Sequence, residues 1–202
     1  LFDKGFWTNN NLTLVARKSE FSVQSQNNKD FVVSLKVHGT QPDDVGLDST
    51  VSKKIQKGTH PSYEIKLAKE FSINLYLISM GNPHGVCWEA FDENLRLNHI
   101  FEMINATKAF SNEVNIEFCK KESKKILSMR VFERGVGETE ACGSGACAAV
   151  VSGILSGFLS ANELIEVKMR QGSLFVKWDG DLLSPVLLSG PATTVFDGEF
   201  YV

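Results

Sequence analysis

The feature that most constrains the fold is an apolar segment at residues 146–159 (ACAAVVSGILSGFL), which contains no charged side chain. Its composition predicts a helix, and a helix without a polar face must be buried on all sides. Before it, a strand-like segment at 126–132 leads through glycines 135 and 137 to Cys142. The sequence therefore predicts a strand, a glycine-containing loop and a cysteine at the N-terminus of a buried helix.

The position of Cys142 suggests a chemical role for its thiol. The free backbone N–H groups and the dipole at a helix N-terminus stabilise an anion, and a thiol placed there has a lowered pKa. The amides of Gly143 and Ser144 are suited to bind a carboxylate, because a glycine lets a ligand approach the backbone closely. Free cysteines more often pack in cores, and we interpret Cys87, Cys119 and Cys147 in that way. Cys142 is therefore predicted to be a reactive thiolate.

The rest of the chain is rich in strand patterns. Segments that alternate in polarity or contain many β-branched residues predict strands at 12–16, 21–24, 31–37, 63–68, 73–79, 112–118, 126–132, 164–170, 173–178, 184–189 and 196–202. Helical spacing appears at 95–110, and a polar connecting loop is predicted at 41–58. Hairpin turns are predicted at 171–172 and 179–180. The predicted fold class is α+β, a mixed or antiparallel sheet rolled around the buried helix.

Composition limits the classes of partner. The formal charge of −3 over 202 residues offers no basic surface for nucleic acid or anionic lipid. No uninterrupted apolar run reaches the ~18 residues of a membrane span. The four cysteines follow no zinc-binding spacing, so no metal site is predicted. Reduced thiols without a visible signal peptide predict a cytoplasmic protein.

Three separated motifs carry a family resemblance. Residues 79–86 (SMGNPHGV), 130–147 (RVFERGVGETEACGSGAC) and 190–198 (GPATTVFDG), with a fainter match at 3–5, resemble diaminopimelate epimerases. The resemblance implies interconversion of LL- and meso-diaminopimelate without pyridoxal phosphate or another cofactor. In this family a thiol and a thiolate act on opposite faces of the α-carbon, in the route to lysine and cell-wall peptide. The implied partner is a small-molecule substrate, and a homodimer is left open.

The resemblance also implies a domain organisation. Family members have two facing, pseudo-symmetric domains with the active site between them. Residues 1–37 and 191–202 would belong to the first domain, and residues 38–190 would form the second. The first catalytic cysteine of the family, in a Cys-Gly-Asn-Gly type motif, has no match here. We therefore expect an N-terminally truncated chain that carries one of two bases and does not epimerise at a useful rate alone.

Site residues follow from the same resemblance. Cys142 would be a base, His84 would support the thiol pair, and Glu133 would manage proton state and hold the substrate amine. The implied substrate-binding residues are Asn82, Asn115, Glu133, Arg134, Gly143 and Ser144. Without the resemblance, His84 would be an ordinary core or surface histidine, and Glu133 and Arg134 an exposed charge pair of little energetic value.

Two other functions remain open from the sequence. One is a related cysteine racemase such as a proline-racemase relative. The other is a catalytically incomplete fragment that only binds ligand or dimerises. Asn82, Asn115 and Arg134 favour a substrate with a polar far end, which proline lacks. Arg134 would grip a distal carboxylate, because a planar guanidinium makes bidentate contacts.

Overall fold

The computed structural model describes residues 11–16, 19–25, 30–56, 58–88 and 97–199. Within them a 13-stranded sheet is the dominant element. Its strands are β1 (Asn11–Ala16), β2 (Ser19–Ser25), β3 (Asp30–Leu35), β4 (Ser52–Ile55), β5 (Ser62–Ala68), β6 (Phe71–Ser79), β7 (Pro83–Cys87), β8 (Asn115–Lys121), β9 (Ile126–Glu133), β10 (Gly137–Thr139), β11 (Leu164–Met169), β12 (Gly172–Lys177) and β13 (Val186–Pro191). The helices are α1 (Pro42–Val45), α2 (Leu97–Ala106) and α3 (Gly143–Leu155).

The sheet follows the spatial order β1-β2-β3-β13-β12-β11-β9-β8-β7-β6-β5-β4, and β10 folds back onto β9. Neighbouring strands are antiparallel except for two parallel pairs, β7 with β8 and β9 with β11. Strands from well-separated places along this order, including β6, β8 and β13, all contact α3. A sheet that touches one helix from several directions is rolled around it, which confirms the predicted α+β fold.

Helix α3 is buried as its composition predicts. Nine of its residues, from Gly145 to Gly153, are buried. They pack in one apolar cluster with Met129, Val167 and Trp178 from the surrounding strands. Cys142 is the N-cap residue, which confirms the predicted start of the helix. The helix ends at Leu155, and Gly157 follows with a φ of 78°, which favours glycine.

The opposite face of the sheet has its own apolar cluster. Ile100 and Ile104 of α2 pack there on alternate residues of the central strands. In β8, Ile116 and Phe118 belong to this α2 side, whereas Cys119 belongs to the α3 cluster. Because side chains alternate along a strand, Glu117 is directed to the same side as Cys119. The period-2 pattern thereby places a carboxylate beside α3.

Four local predictions were wrong. The predicted loop at 41–58 contains α1 and β4, because its capping box and Pro42 start a short helix. The strand predicted at 112–118 begins at Asn115 and continues to Lys121, because its last residues pair with β9. The second hairpin turn is a longer loop over residues 178–185. Residues 196–199 form no strand, and residues 200–202 of that prediction lie outside the described residues.

The domain division at 37/38 and 190/191 stays a prediction. Strand β3, before the first boundary, pairs along its whole length with β13, at the second boundary. None of the helices in the described ranges has the length and apolar character needed to cross a bilayer.

Candidate active site

The site forms where the N-terminus of α3 meets the adjacent strands β7, β8 and β9. The parallel pairing of β7 with β8 sets His84 opposite Asn115, and the β8–β9 register sets Ile116 opposite Phe132. Alternation along each strand then directs one set of polar side chains to the α3 side of the sheet. These are His84, Asn115, Glu117 and Glu133.

Cys142 caps α3 through its sulfur. Its backbone is extended, with φ of −142°, and Sγ accepts the Gly145 N–H at 3.4 Å. The Ser144 hydroxyl lies 3.5 Å from the same sulfur. The residue is 8% exposed. The first N–H groups of an α-helix have no intrahelical partner, so the amides of Gly143 and Ser144 are suited to bind a substrate carboxylate beside the thiol.

The pKa of the Cys142 thiol is raised, chiefly because burial penalises the thiolate. Hydrogen bonds from Ser144 and Gly145 lower this pKa, whereas the nearby negative charges of Glu117 and Glu133 raise it. The prediction of a depressed pKa was therefore wrong, since the stabilisation at the helix N-terminus is smaller than the desolvation. In this site Cys142 is a proton-bearing thiol at neutral pH.

A chain of polar contacts connects this thiol to the interior of the sheet. Asn82 donates its Nδ2 hydrogen to Ser144 Oγ at 3.3 Å, and Asn82 Oδ1 lies 2.9 Å from His84 Nε2. His84 Nδ1 lies 2.7 Å from Glu117 Oε1, and both side chains are fully buried. The structure therefore brings together Asn82, His84, Ser144 and Cys142, four of the residues that the resemblance implied.

Glu133 and Arg134 differ in their surroundings. Glu133 is half-buried at the end of β9 and accepts a hydrogen bond of 2.6 Å from the Thr139 hydroxyl. Arg134 is exposed, and within the described residues no carboxylate forms an ion pair with it. The guanidinium is thus available to an anionic ligand.

The side chain of Asn115 holds two backbone segments in place. Its Oδ1 accepts the Arg134 N–H at 2.9 Å, and its Nδ2 donates to the Pro83 carbonyl at 3.1 Å. The side chain thereby ties the start of β7 to the start of the loop that carries Arg134. Its substrate contact stays a prediction, and its hydrogen bonds within the chain position the neighbouring site residues.

A second group of charges supports the loop that carries Arg134, between β9 and β10. Glu138 in β10 accepts two hydrogen bonds from Arg130, at 2.7 and 3.0 Å, and lies 3.4 Å from Arg170. The hydrogen bond from Arg130 is the main reason that the pKa of Glu138 is lowered. A bidentate pair of this kind has fixed geometry, so it holds the β9–β10 hairpin and the loop between its strands.

Sequence reasoning missed Glu117, Thr139 and the Arg130–Glu138 pair. Glu117 gave a usable signal, because an acid between Ile116 and Phe118 interrupts an apolar strand. The other three are ordinary polar residues in sequence, and only the hairpin brings them together. The remaining cysteines, Cys87, Cys119 and Cys147, form no disulfide and are buried as predicted, and burial raises the pKa of Cys119 and Cys147.

Solved structures with a similar fold include amino-acid racemases and epimerases. A probable proline racemase from Agrobacterium radiobacter aligns with a TM-score of 0.54 and 11% identity, covering 95% of this chain and 62% of that protein. A hydroxyproline epimerase from Agrobacterium vitis aligns with a TM-score of 0.55 and 10% identity, covering 93% and 60%. At these identities the likeness establishes a shared fold.

Sequence comparison establishes the family. Diaminopimelate epimerase of Acidovorax ebreus is 37% identical over 162 residues, which cover 79% of this chain and 55% of the relative. The enzyme of Herminiimonas arsenicoxydans is 47% identical over 123 residues, covering 61% and 42%. The chain thus spans about half the length of these curated relatives. The sequence model of the diaminopimelate epimerase family matches residues 76–195, which contain every site residue described above, and the chain belongs to this family.

Proposed function

We propose that this chain provides one catalytic half of an epimerase that interconverts LL- and meso-diaminopimelate without pyridoxal phosphate. The observation that carries the proposal is the Cys142 thiol at the N-terminus of α3, with Ser144 Oγ 3.5 Å from its sulfur and Glu133 near enough for its charge to raise the thiol pKa. Membership of the diaminopimelate epimerase family supports the substrate. Residues 1–37 and 191–202 are proposed to belong to one domain of the whole protein, and residues 38–190 to the other.

The proposed chemistry is a proton exchange at the α-carbon. A base on one face takes the α-hydrogen as a proton, and the electron pair of the broken C–H bond spreads into the substrate carboxylate. The amides of Gly143 and Ser144 stabilise the charge that develops there. The Cys142 S–H then gives its proton to the opposite face, which forms the new C–H bond and leaves a thiolate. In the reverse direction, this thiolate removes the proton.

The raised pKa of Cys142 suits the donor role. A buried thiol keeps its proton at neutral pH and can deliver it to a carbanion within the site. Acting alone, one thiol serves one face of the carbon, so it can exchange the α-hydrogen only with retention. Inversion also needs a base on the other face, and Cys147, buried within α3, is not placed to serve it.

Arg134 is proposed to bind the distal carboxylate of the substrate. It is an exposed cation beside the site, and a guanidinium can grip a carboxylate through two parallel hydrogen bonds. Glu133 is proposed to hold the substrate amine, and Asn82 to contact the far end. Asn115 contributes by fixing the backbone of Arg134.

A proline-racemase-like activity is the alternative that the shared fold favours. Proline has no second carboxylate, so it would leave Arg134 without a ligand. A fragment that only binds ligand or dimerises is the other alternative, and no described contact favours it.

Protection of Cys142 from alkylation tests the proposed function. The chain is treated with iodoacetamide at mildly alkaline pH, with and without diaminopimelate or proline, and the labelled peptides are quantified. We expect diaminopimelate to slow labelling of Cys142 and proline to leave it unchanged. Equal protection by proline would favour the alternative enzyme, and no protection by diaminopimelate would contradict the proposal.

The Cys142→Ser variant identifies the labelled peptide in this assay, because its signal must disappear. Glu163→Gln is a matched surface control. Glu163 pairs with Lys125, which lies at the opposite end of β9 from Glu133, so its loss leaves protection by diaminopimelate unchanged.

A further inference from the structure

Glu117 is a fully buried carboxylate in the middle of β8, between two apolar residues. Its Oε1 lies 2.7 Å from His84 Nδ1. Its Oε2 has no hydrogen-bond partner among the described residues. A buried carboxylate oxygen without a partner destabilises a fold, and an apolar residue of similar size would often be more stable. The structure thus retains Glu117 at a cost in stability, which is typical of functional sites.

The contacts of Glu117 begin a directed chain. An ionised carboxylate can only accept hydrogen bonds, so the hydrogen between the two residues lies on Nδ1 of His84. The Nε2 atom of the same ring lies 2.9 Å from Asn82 Oδ1, which can only accept, so Nε2 donates to it. Asn82 in turn donates through Nδ2 to Ser144 Oγ. Ser144 Oγ lies 3.5 Å from Cys142 Sγ, close enough for either atom to donate to the other. The chain therefore runs from a buried acid to the reactive sulfur.

Gly145 provides the space that this arrangement needs. A Cβ atom at residue 145 would lie 2.8 Å from Glu117 Oε1 and 3.3 Å from Cys142 Sγ. The helix backbone thus passes between the carboxylate and the thiol with no side chain to separate them. The negative charge of Glu117 also contributes to the raised pKa of Cys142, after burial.

We propose that Glu117 is a positioning residue for the reaction at Cys142. It accepts the Nδ1 hydrogen of His84, fixes the orientation of that ring and, through Asn82, holds the Ser144 hydroxyl beside the sulfur. Its importance for catalysis rests on the proposed function, whereas its effect on His84 can be measured without substrate.

The tautomer of His84 provides the first test. Long-range ¹H–¹⁵N NMR spectra of the chain show which ring nitrogen carries hydrogen. In the wild type we expect hydrogen on Nδ1 of His84, and a ring with hydrogen on Nε2 alone would overturn the proposal. This measurement needs no variant, so it does not depend on whether a substituted chain folds.

Two substitutions then separate hydrogen bonding from packing. Glu117→Met keeps the side-chain length and removes the acceptor, and we expect the Nδ1 resonance of His84 to shift. Glu117→Gln keeps an oxygen acceptor and should restore the wild-type signature. An unchanged His84 spectrum in Glu117→Met would contradict the proposal. His60, which is buried elsewhere and stacks on Tyr76, is the internal control and should show no change.

Exchange of the substrate α-hydrogen gives the functional readout. Glu117 is fully buried and bonded to His84, so Glu117→Met should lower kcat by on the order of 10- to 100-fold and leave KM unchanged. Glu117→Gln should recover part of that loss. A rise in KM without a change in kcat would contradict a positioning role. A wild-type chain that exchanges no hydrogen would refute the proposed function, while the NMR result would still decide the role of Glu117.

Discussion

Replacing Gly145 with alanine tests whether Glu117 and Cys142 are packed as tightly as described. Alanine in a helix interior normally stabilises by about 1 kcal/mol relative to glycine. Here the added methyl group would lie 2.8 Å from Glu117 Oε1 and 3.3 Å from Cys142 Sγ. Glu117 is fully buried and bonded to His84, so it cannot move aside freely. Overpacking of this kind costs about 1–3 kcal/mol.

The two effects oppose each other, and overpacking is the larger. The net result is a destabilisation of about 1 kcal/mol, which for a chain of this length lowers Tm by about 2–4 °C. Gly143→Ala is the matched control in the same helical turn. Its methyl group would meet only the end of the Leu188 side chain, at 3.0 Å, which can rotate away. We expect the control to be neutral or slightly stabilising.

Thermal unfolding followed by circular dichroism measures both variants. The predicted order of Tm is Gly145→Ala below wild type, with Gly143→Ala at or above it. A higher Tm for Gly145→Ala would show that helix propensity outweighs the contact. The carboxylate and the sulfur would then not approach the backbone as closely as the structure indicates.

Three further predictions concern the site. Because burial raises the pKa of the Cys142 thiol, the pH midpoint of its alkylation should lie above the ordinary thiol pKa of about 8.5. Competitive labelling across pH measures this midpoint, and a lower value would contradict the prediction. Arg134→Lys should weaken diaminopimelate binding by about 1–2 kcal/mol, roughly 5- to 30-fold, whereas Arg170→Lys should not; equal calorimetric affinities for the two variants would remove Arg134 from the site. Thr139→Val removes the hydrogen bond to Glu133 and should cost about 0.5–1.5 kcal/mol in urea unfolding, with no change in stability as the opposing result.

Sequence patterns predicted the features that depend on local chemistry. An apolar segment without a polar face can only be a buried element, so α3 followed from composition, and its start at Cys142 followed from the glycine-containing loop before it. The strand pattern likewise predicted most of the sheet. The short elements α1 and β4 were missed, because their segment is polar and their boundaries depend on capping and on pairing with β5.

Features that depend on tertiary pairing could not be predicted in this way. His84 and Glu117 are distant in sequence, and only the parallel pairing of β7 with β8 brings them together. The pKa of Cys142 was predicted in the wrong direction for a related reason. A helix N-terminus is visible in the sequence, whereas the burial that outweighs it arises only when the sheet closes around α3.

The most direct test of the account is α-hydrogen exchange in heavy water. The chain is incubated in D₂O with LL-diaminopimelate and, separately, with meso-diaminopimelate, because one thiol reaches only one face of the α-carbon. Deuterium at the α-carbon is followed by NMR, and the product stereochemistry is determined by chiral chromatography. We predict deuteration by the wild-type chain and its loss in Cys142→Ser, with folding of the variant confirmed by circular dichroism. Deuteration by Cys142→Ser at the wild-type rate would contradict the central claim that the Cys142 sulfur exchanges the substrate proton.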